Sequence, residues 1–190
     1  MTIQASPEVA LYLYNYFLTK HEHKNKLGED WYYLNREGKR APKGFKRIGG
    51  GSYRSAFLHV ESGLVYKLGD FKSNKSEAAN ARKLRSKSPE GLPAELHIVE
   101  TIALMLPSHT DYWGGVVRNN CSVQEYAANA KPTQCKRMSY YSDSERCTCR
   151  HEVCNFHMME AIMRWSGLDD MHAYNFLWDG VKYWLIDIAM

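Results

Sequence analysis

Oxygen-bearing side chains recur near the end of the 190-residue chain, in the stretch LDDMHAYNFLWDGVKYWLID. Four residues separate Asp170 from Asn175, and Asp187 follows twelve residues after Asn175, at the end of an apolar run. Because an apolar strand rarely ends in a carboxylate without a partner, we interpret Asn175 and Asp187 as two oxygen ligands for one Mg²⁺. The alternative is that Asp169 and Asp170 cap a turn and that Asp187 is a solvated residue.

Metal ligands of this kind suit phosphoryl transfer, which also requires a loop over the phosphates and a cation that holds them. The segment IGGGSYRSA, residues 48–56, is the candidate loop, because glycines let backbone amides approach phosphate oxygens. The candidate cation is Lys67, in the strand-like run LVYKL. A glycine-rich hairpin turn and a lysine on the solvated face of a strand are the alternatives. The candidate loop contacts are Gly49, Gly50, Gly51 and Ser52.

Further residues have positions that suit nucleotide binding. Glu77 comes early in the helix-like stretch after Lys67, where its carboxylate either holds the lysine ammonium or is simply exposed. Glu125, Tyr126 and Ala127 end the run CSVQEYA, where their backbone groups could read an adenine edge. These assignments are interpretations of position along the chain.

A second constellation combines thiols and imidazoles. Such side chains at high density form tetrahedral zinc sites. The spacing here is not that of a standard zinc finger, and the last two members fall on a predicted helix, where they would pack in a core. Zinc binding therefore stays one of two hypotheses for the cluster. Its members are Cys135, Cys147, Cys149, His151, Cys154 and His157.

Composition and charge limit the classes of protein that fit. Hydrophobic residues make up 44% of the chain and charged residues 24%, which is ordinary globular composition. The net charge of +4 is too weak by itself to argue for nucleic acid. The basic run at 36–47 fits either a solvated linker or a patch for phosphates or an acidic partner. No signal peptide or membrane-spanning run is recognised, so we expect a cytoplasmic protein with reduced cysteines.

The hydrophobic pattern predicts the order helix, three strands, helix, two strands, helix and hairpin, so the expected fold class is α+β. Ser6 is the expected N-cap of the first helix, and Gly167 the expected end of the third. The predicted helices cover 6–20, 73–87 and 151–168. The predicted strands are antiparallel runs between Gly44 and Asp70, runs at 96–106 and 121–127 with a loop between them, and a hairpin around Asp179 and Gly180.

The stretch DDMHAYNFLW, together with the later WLID, resembles the D-x-H-x-x-N variant of the catalytic loop in the protein-kinase-like superfamily. It is similar in particular to aminoglycoside and choline phosphotransferases and to the small early protein kinases of podovirus-type phages. The resemblance covers residues 45–190 and is most specific in this C-terminal motif. It implies a minimal kinase-like fold, in which a small antiparallel sheet lobe precedes a truncated helical lobe.

The resemblance also implies a role for each matching residue. Asp170 becomes the base that accepts the hydroxyl proton, and His172 either contacts the transferred phosphoryl group or braces the loop. Glu77 follows only ten positions after Lys67, a shorter separation than is usual in the family. The implied cofactors are ATP and Mg²⁺. The other implied roles are a phosphate clamp with its partner, two magnesium ligands and two loop glycines: Lys67 with Glu77, Asn175 with Asp187, and Gly49 with Gly51.

Several positions depart from the family pattern. Arg54 stands where a third loop glycine is usual, and it either stiffens the loop or contacts phosphate. Leu168 and Asp169 replace the usual His-Arg pair, so control through a phosphorylated activation loop is not expected. The sequence ends three residues after Asp187. Acceptor recognition is therefore expected from the N-terminal helix, the segment at 128–150 or a second subunit.

The resemblance implies three segments: an N-terminal helical extension at 1–44, an ATP-binding region at 45–127 and a truncated C-terminal lobe at 128–190. The implied function is ATP-dependent phosphoryl transfer by a phage-type serine/threonine protein kinase that modifies proteins in the host cytoplasm. A catalytically inert kinase-like module that binds or inhibits a protein is one alternative. A phosphotransferase for a small cationic acceptor is another, and a homo-oligomer is left open.

Overall fold

The computed structural model describes residues 3–22, 41–50, 54–69, 71–88, 90–92, 95–110, 114–132, 155–168 and 175–188. Within these residues the fold is α+β, as predicted, and none of the helices is long and apolar enough to cross a membrane. The helices are α1 (Pro7–Glu22), α2 (Phe71–Arg85) and α3 (Asn155–Ser166). The strands are β1 (Phe45–Gly50), β2 (Arg54–His59), β3 (Leu64–Gly69), β4 (Leu96–Ile98), β5 (Thr101–Thr110), β6 (Val116–Glu125), β7 (Lys131–Pro132), β8 (Phe176–Trp178) and β9 (Tyr183–Leu185).

The chain divides into two compact units. The first contains the chain up to Ala79 together with Glu100–Tyr126. The second contains Asn80–Val99 and Ala127–Ile188. The division falls within α2, so the residues of this helix up to Ala79 count with the first unit.

The first unit is built on a sheet that has five strands in the described residues, in the order β1-β2-β3-β6-β5. Every neighbouring pair is antiparallel. The predicted turn between β2 and β3 is present: Gly63 has φ +65°, a left-handed conformation that glycine adopts without a Cβ penalty. The Gly63 N–H donates to the His59 carbonyl at 3.0 Å. The antiparallel hairpin predicted for this stretch is therefore confirmed.

One face of this sheet packs with α1 in the apolar core of the first unit. The helix begins as predicted, because Ser6 Oγ accepts the Val9 N–H at 3.2 Å and so makes Ser6 the N-cap. Successive side chains of a strand point to opposite faces, and the core uses every second position of β3. The buried members of the core are Ala10, Leu13, Tyr14, Phe17, Phe57, Tyr66, Leu68, Leu106, Cys121 and Val123.

Two predictions about strands are wrong. The run at 96–106 is two strands that belong to different sheets, β4 and β5. The expected loop at 107–120 is largely strand, because β5 continues to Thr110 and β6 begins at Val116. Proline is tolerated at position 107 because β5 lies at the edge of the sheet formed by the described strands, and because its pairing with β6 shifts register between Leu106 and His109.

The second unit contains, in its described part, a sheet in the order β4-β9-β8-β7. The pair β4 and β9 is parallel, and the other pairs are antiparallel. The end predicted for the third helix is confirmed: Gly167 has φ +73°, and its N–H donates to the Met163 carbonyl at 2.8 Å. Residues 151–154 of that predicted helix lie outside the described residues. The buried core residues are Ala81, Leu84, Met158, Met159, Ile162, Leu168, Tyr183, Leu185 and Ile188.

The predicted hairpin at Asp179 and Gly180 joins β8 to β9 and is confirmed. Asp179 Oδ1 accepts the backbone N–H groups of Val181 and Lys182 at 2.8 and 2.9 Å. Its Oδ2 accepts the indole N–H of Trp184 at 2.6 Å. These hydrogen bonds favour the ionised carboxylate and lower the pKa of Asp179 from 3.8 to about 2. The hydrogen bond from the Lys182 backbone N–H has the largest effect.

We expect the Asp179 carboxylate to titrate near pH 2 in the folded protein. Because the folded pKa lies below the ordinary value of 3.8, the ionised carboxylate contributes stability above pH 3.8 that is lost as the pH falls toward 2. A carboxyl NMR titration measures this pKa directly, and an Asp179→Asn variant identifies the resonance by removing it. A midpoint at or above 3.8 would show that the turn does not hold the carboxylate.

Candidate functional site

The second face of the five-stranded sheet carries polar side chains at the positions that alternate with the apolar core. Lys67 of β3 lies opposite Ser122 of β6 in the strand register. Both are buried, although buried polar groups are stable only when they have partners. Their partners come from α2 and from the neighbouring strands. We call this group of contacting residues the polar cluster: Arg54, Lys67, Asn74, Glu77, Asn120 and Ser122.

The centre of the polar cluster is an ion pair between Lys67 Nζ and Glu77 Oε1. The Lys67 side chain is 7% exposed and that of Glu77 is fully buried. The separation of ten residues is sufficient because α2 begins at Phe71, two residues after the last residue of β3, so Glu77 lies in the second turn of the helix. The predicted pairing of Lys67 with Glu77 is therefore present.

Two further donors hold the Glu77 carboxylate. Arg54 Nη1 and Ser122 Oγ both donate to Glu77 Oε2, each at 2.7 Å. Charge-assisted hydrogen bonds of this kind are among the stronger ones in proteins. Glu77 therefore binds two cations and one hydroxyl in a buried position, which fixes both the carboxylate and the Lys67 ammonium.

The first turns of α2 are attached to β6 by paired amides. Asn74 Nδ2 donates to the carbonyl and to the side-chain oxygen of Asn120 at 3.2 and 3.1 Å. Asn120 Nδ2 donates in turn to the Phe71 carbonyl at 3.0 Å. Asn74 lies one turn before Glu77 on the same face of α2, so these hydrogen bonds also position the Glu77 carboxylate.

The second unit brings the two predicted magnesium ligands together. Asn175 directly precedes β8 and Asp187 closely follows β9, and these strands pair with Phe176 opposite Leu185. The Asn175 carbonyl accepts the N–H groups of Ile186 at 2.8 Å and Asp187 at 3.4 Å. Asn175 Nδ2 donates to the Asp187 carbonyl. The residues proposed from sequence as oxygen ligands are therefore neighbours.

The segment that follows Asp187 is also anchored within the second unit. Asn80 Nδ2 donates to the Ile188 carbonyl at 2.8 Å, and the Ile188 side chain is buried in the core. The backbone on both sides of the Asp187 carboxylate is thus fixed by hydrogen bonds to Asn175 and Asn80.

Similarity to known proteins assigns no function to these contacts. The sequence matches no family model and no curated protein at a significant level. A functional proposal therefore rests on the geometry of the polar cluster and of the Asn175–Asp187 pair.

The predicted phosphate loop is described in part. Gly49 and Gly50 end β1, where they pair with Ala56 and Ser55 of β2. A Cβ at Gly49 would meet nothing within 4 Å, so space does not by itself require glycine there. Gly51 and Ser52 lie outside the described residues, and their predicted contacts with phosphate stay predictions.

The predicted adenine-reading segment is hydrogen-bonded to backbone groups of other residues. Glu125 Oε1 accepts the Glu100 N–H at 2.6 Å, and the Glu125 N–H donates to the Glu100 carbonyl at 3.3 Å. The Ala127 carbonyl accepts the Ala130 N–H at 3.1 Å. Gln124, just before Glu125, is buried, and its Oε1 has no hydrogen-bond partner in the described part of the chain.

Other predicted residues lie outside the described part of the chain, among them Asp170, His172 and the first five members of the proposed zinc cluster. His157 falls in α3. Within the described ranges no three Asp, Glu, His or Cys side chains are close enough together to hold a metal ion. Cys121, which is not part of that cluster, is a free thiol whose pKa is raised by burial.

Sequence reasoning did not identify Ser122, Asn74 and Asn120 as parts of a site. It noted Arg54 only as a departure from a glycine pattern. They are identified by the pairing of β3 with β6, which sets Ser122 opposite Lys67. The polar positions of β6 then share a face with Lys67, because side chains alternate along a strand.

Proposed function

We propose that this protein is an ATP-dependent phosphotransferase that transfers the γ-phosphoryl group to a serine or threonine hydroxyl of another protein. The observation that carries the proposal is the buried ion pair between Lys67 of β3 and Glu77 of α2. A lysine on a strand that is held by a glutamate of a neighbouring helix is the arrangement that protein kinases use to hold nucleotide phosphates. The pair thus supports nucleotide binding by the first unit.

Stability alone is a poor explanation of these buried charges. Removing charges from water is costly, and apolar side chains of similar volume often stabilise a fold as well as a buried ion pair does. Placing Arg54 and Lys67 of one sheet face around Glu77 of α2 is better explained by a need to bind an anion. The phosphates of ATP provide that anion in the proposed reaction.

The proposed magnesium ligands are Asn175 Oδ1 and the Asp187 carboxylate. The hydrogen bond from Asn175 Nδ2 to the Asp187 carbonyl sets the orientation of the amide, so that its oxygen is the atom proposed as a ligand. One amide oxygen and one carboxylate fit Mg²⁺, which takes few protein ligands and completes its shell with phosphate oxygens and water. When bound, the ion neutralises charge on the phosphoryl group.

The remaining roles are proposed from sequence. Asp170 accepts the proton of the acceptor hydroxyl, and His172 contacts the transferred phosphoryl group. Gly49, Gly51 and the residues between and after them cover the phosphates with backbone N–H groups. In such a reaction, positioning and electrostatic stabilisation supply most of the rate.

The fold proposed for this function is a minimal kinase-like fold. Residues 45–127 form the ATP-binding region, whose antiparallel sheet and α2 carry the polar cluster. Residues 128–190 belong to the C-terminal lobe, and 1–44 contribute α1 as an extension. We propose a protein as the acceptor and, for a chain encoded by a phage, a host protein in the host cytoplasm.

Gln124 supports adenine as the base of the nucleotide. Buried acceptors are usually hydrogen-bonded, yet its Oε1 has no partner among the described residues. Glu125 and Ala127, the predicted readers of an adenine edge, follow directly. The exocyclic amine of adenine is a donor that would satisfy the Gln124 oxygen.

The proposal is tested by transfer of radioactive phosphate from γ-labelled Mg-ATP. The purified protein is incubated alone and with a heat-treated bacterial lysate, which removes the lysate's own kinases. We expect label on serine or threonine of a protein, and we expect chelation of magnesium to reduce it to background. ATP labelled at the α-phosphate is the control, because transfer of the whole nucleotide would label the acceptor from that position as well.

Other outcomes would contradict this function. Failure to label any protein with either magnesium or manganese would remove the protein-kinase proposal and favour a binding module. Label that moves instead to an added aminoglycoside or to choline would replace the protein acceptor with a small cationic molecule.

A further inference from the structure

Two cations of the polar cluster are gathered on one carboxylate. Lys67 Nζ binds Glu77 Oε1, and Arg54 Nη1 binds Glu77 Oε2 at 2.7 Å. The two oxygens of a carboxylate belong to one small group, so the ammonium and the guanidinium are held close together despite their like charges. Like charges repel one another; the Glu77 carboxylate offsets part of this repulsion, and a second anion that contacted both cations would add to the attraction.

The two cations are slightly more exposed than the carboxylate that binds them. The side chains of Arg54 and Lys67 are 10% and 7% exposed, whereas that of Glu77 is 0% exposed. An anion in solvent can therefore reach atoms of the two cations but none of the Glu77 side chain. Glu77 binds both cations from a fully buried position.

The place of Arg54 in the chain suits a phosphate ligand. It lies within the segment 48–56 that is predicted as the phosphate loop, it is the first residue of β2, and it pairs in register with Gly69 of β3. A guanidinium presents a planar set of donors that matches two oxygens of a phosphate, whereas an ammonium acts as a point charge. Arg54 and Lys67 thus offer two kinds of contact to a chain of phosphates.

We propose that Arg54 and Lys67 together form a binding site for a polyphosphate chain, with Glu77 as the residue that positions both cations. This inference rests on the proposed function and adds Arg54 to its phosphate ligands. A glycine at this position would allow the backbone to contact the phosphates, and the Arg54 side chain makes that contact instead. Affinity at the site depends on the number of phosphates, because the two cations contact different phosphate groups.

The test compares binding of ATP, AMP and inorganic tripolyphosphate to the wild type and to Arg54→Gln by titration calorimetry. We expect Arg54→Gln to weaken binding of ATP and tripolyphosphate by about 10- to 100-fold, the loss of a hydrogen bond to a charged group. Binding of AMP changes by less than about threefold on the same reasoning. Arg54→Lys keeps the charge without the planar fork and is expected to lie between the two.

Two controls separate binding from folding. Lys46→Gln removes an exposed cation from β1 of the same sheet and is expected to leave all three affinities unchanged. The urea midpoint of each variant shows whether it is folded at the titration temperature. An Arg54→Gln variant that does not fold is replaced in the comparison by Arg54→Lys, whose charge still pairs with Glu77.

Three results would overturn the inference. Unchanged ATP affinity in a folded Arg54→Gln variant, with loss in Lys67→Met, would leave Arg54 a structural partner of Glu77 while the phosphotransferase proposal stands. An equal loss of AMP affinity and ATP affinity in Arg54→Gln would also leave Arg54 a structural partner of Glu77. Failure of the wild type to bind tripolyphosphate would remove the site itself. Arg54-dependent tripolyphosphate binding without any phosphoryl transfer would support this inference and contradict the proposed function.

Discussion

Replacing Glu77 with alanine is expected to destabilise the first unit by about 3–5 kcal/mol, the usual cost of removing one partner from a buried ion pair. The carboxylate is fully buried and accepts from Lys67, Arg54 and Ser122. Its removal leaves two neighbouring cations facing each other without the group that binds both. Urea denaturation followed by tryptophan fluorescence and circular dichroism measures the change in the free energy of unfolding.

Two companion variants isolate the role of the charge. Glu77→Gln keeps the volume and one acceptor oxygen, so we expect a smaller loss than for alanine. Lys75→Ala alters an exposed residue of the same helix, and a surface change of this kind is expected to stay within about 0.5 kcal/mol of the wild type. If Glu77→Ala cost less than about 1 kcal/mol, the carboxylate would be solvated, and the polar cluster would not exist as described.

Local patterns in the sequence were sufficient to predict how Asn175 and Asp187 meet. The dipeptide Asp179-Gly180 marks a tight hairpin, and such a turn sets the start of β8 beside the end of β9. Asn175 before the first strand and Asp187 after the second must then be neighbours. The structure confirms this with hydrogen bonds between the two residues.

The polar cluster required information that is not local. Lys67 and Ser122 face each other because β3 pairs with β6, and the strands β4 and β5 lie between these two along the chain. No turn type or spacing reveals that register. The same limitation applies to Arg54. From the sequence it was only a departure from the glycine pattern, because its contact with Glu77 exists only once β2, β3 and α2 are assembled.

Tertiary context also overrode local composition at 107–120. Proline and two glycines favour a loop, but pairing with β6 extends β5 through Pro107 with one irregularity in the register. At 96–106 a continuous apolar run hides a change of sheet, because Val99 and Glu100 connect β4 to β5. An apolar run predicts that a segment is buried, but it does not predict to which sheet the segment belongs.

Replacing Asp187 with alanine is expected to lower phosphoryl transfer by about 10²–10³-fold. A bound metal ion contributes several kcal/mol of charge stabilisation, and each 1.36 kcal/mol corresponds to about tenfold in rate. The contacts that join residue 187 to Asn175 use the main-chain N–H and carbonyl of residue 187. Alanine retains both groups, so the loss of activity should not be accompanied by loss of these contacts.

Magnesium dependence distinguishes a ligand from a residue that only supports the fold. Asp187→Asn keeps an oxygen but loses the charge, so we expect it to raise the magnesium concentration needed for half-maximal rate and to retain more activity than alanine. Glu95→Ala removes an exposed carboxylate from the same unit and should change neither quantity, because the Tyr183 N–H donates to the main-chain carbonyl of Glu95. Asn175→Ala is a poorer probe, since it removes both the proposed amide ligand and the hydrogen bond to the Asp187 carbonyl. Full activity of Asp187→Ala at a low magnesium concentration would exclude Asp187 as a magnesium ligand.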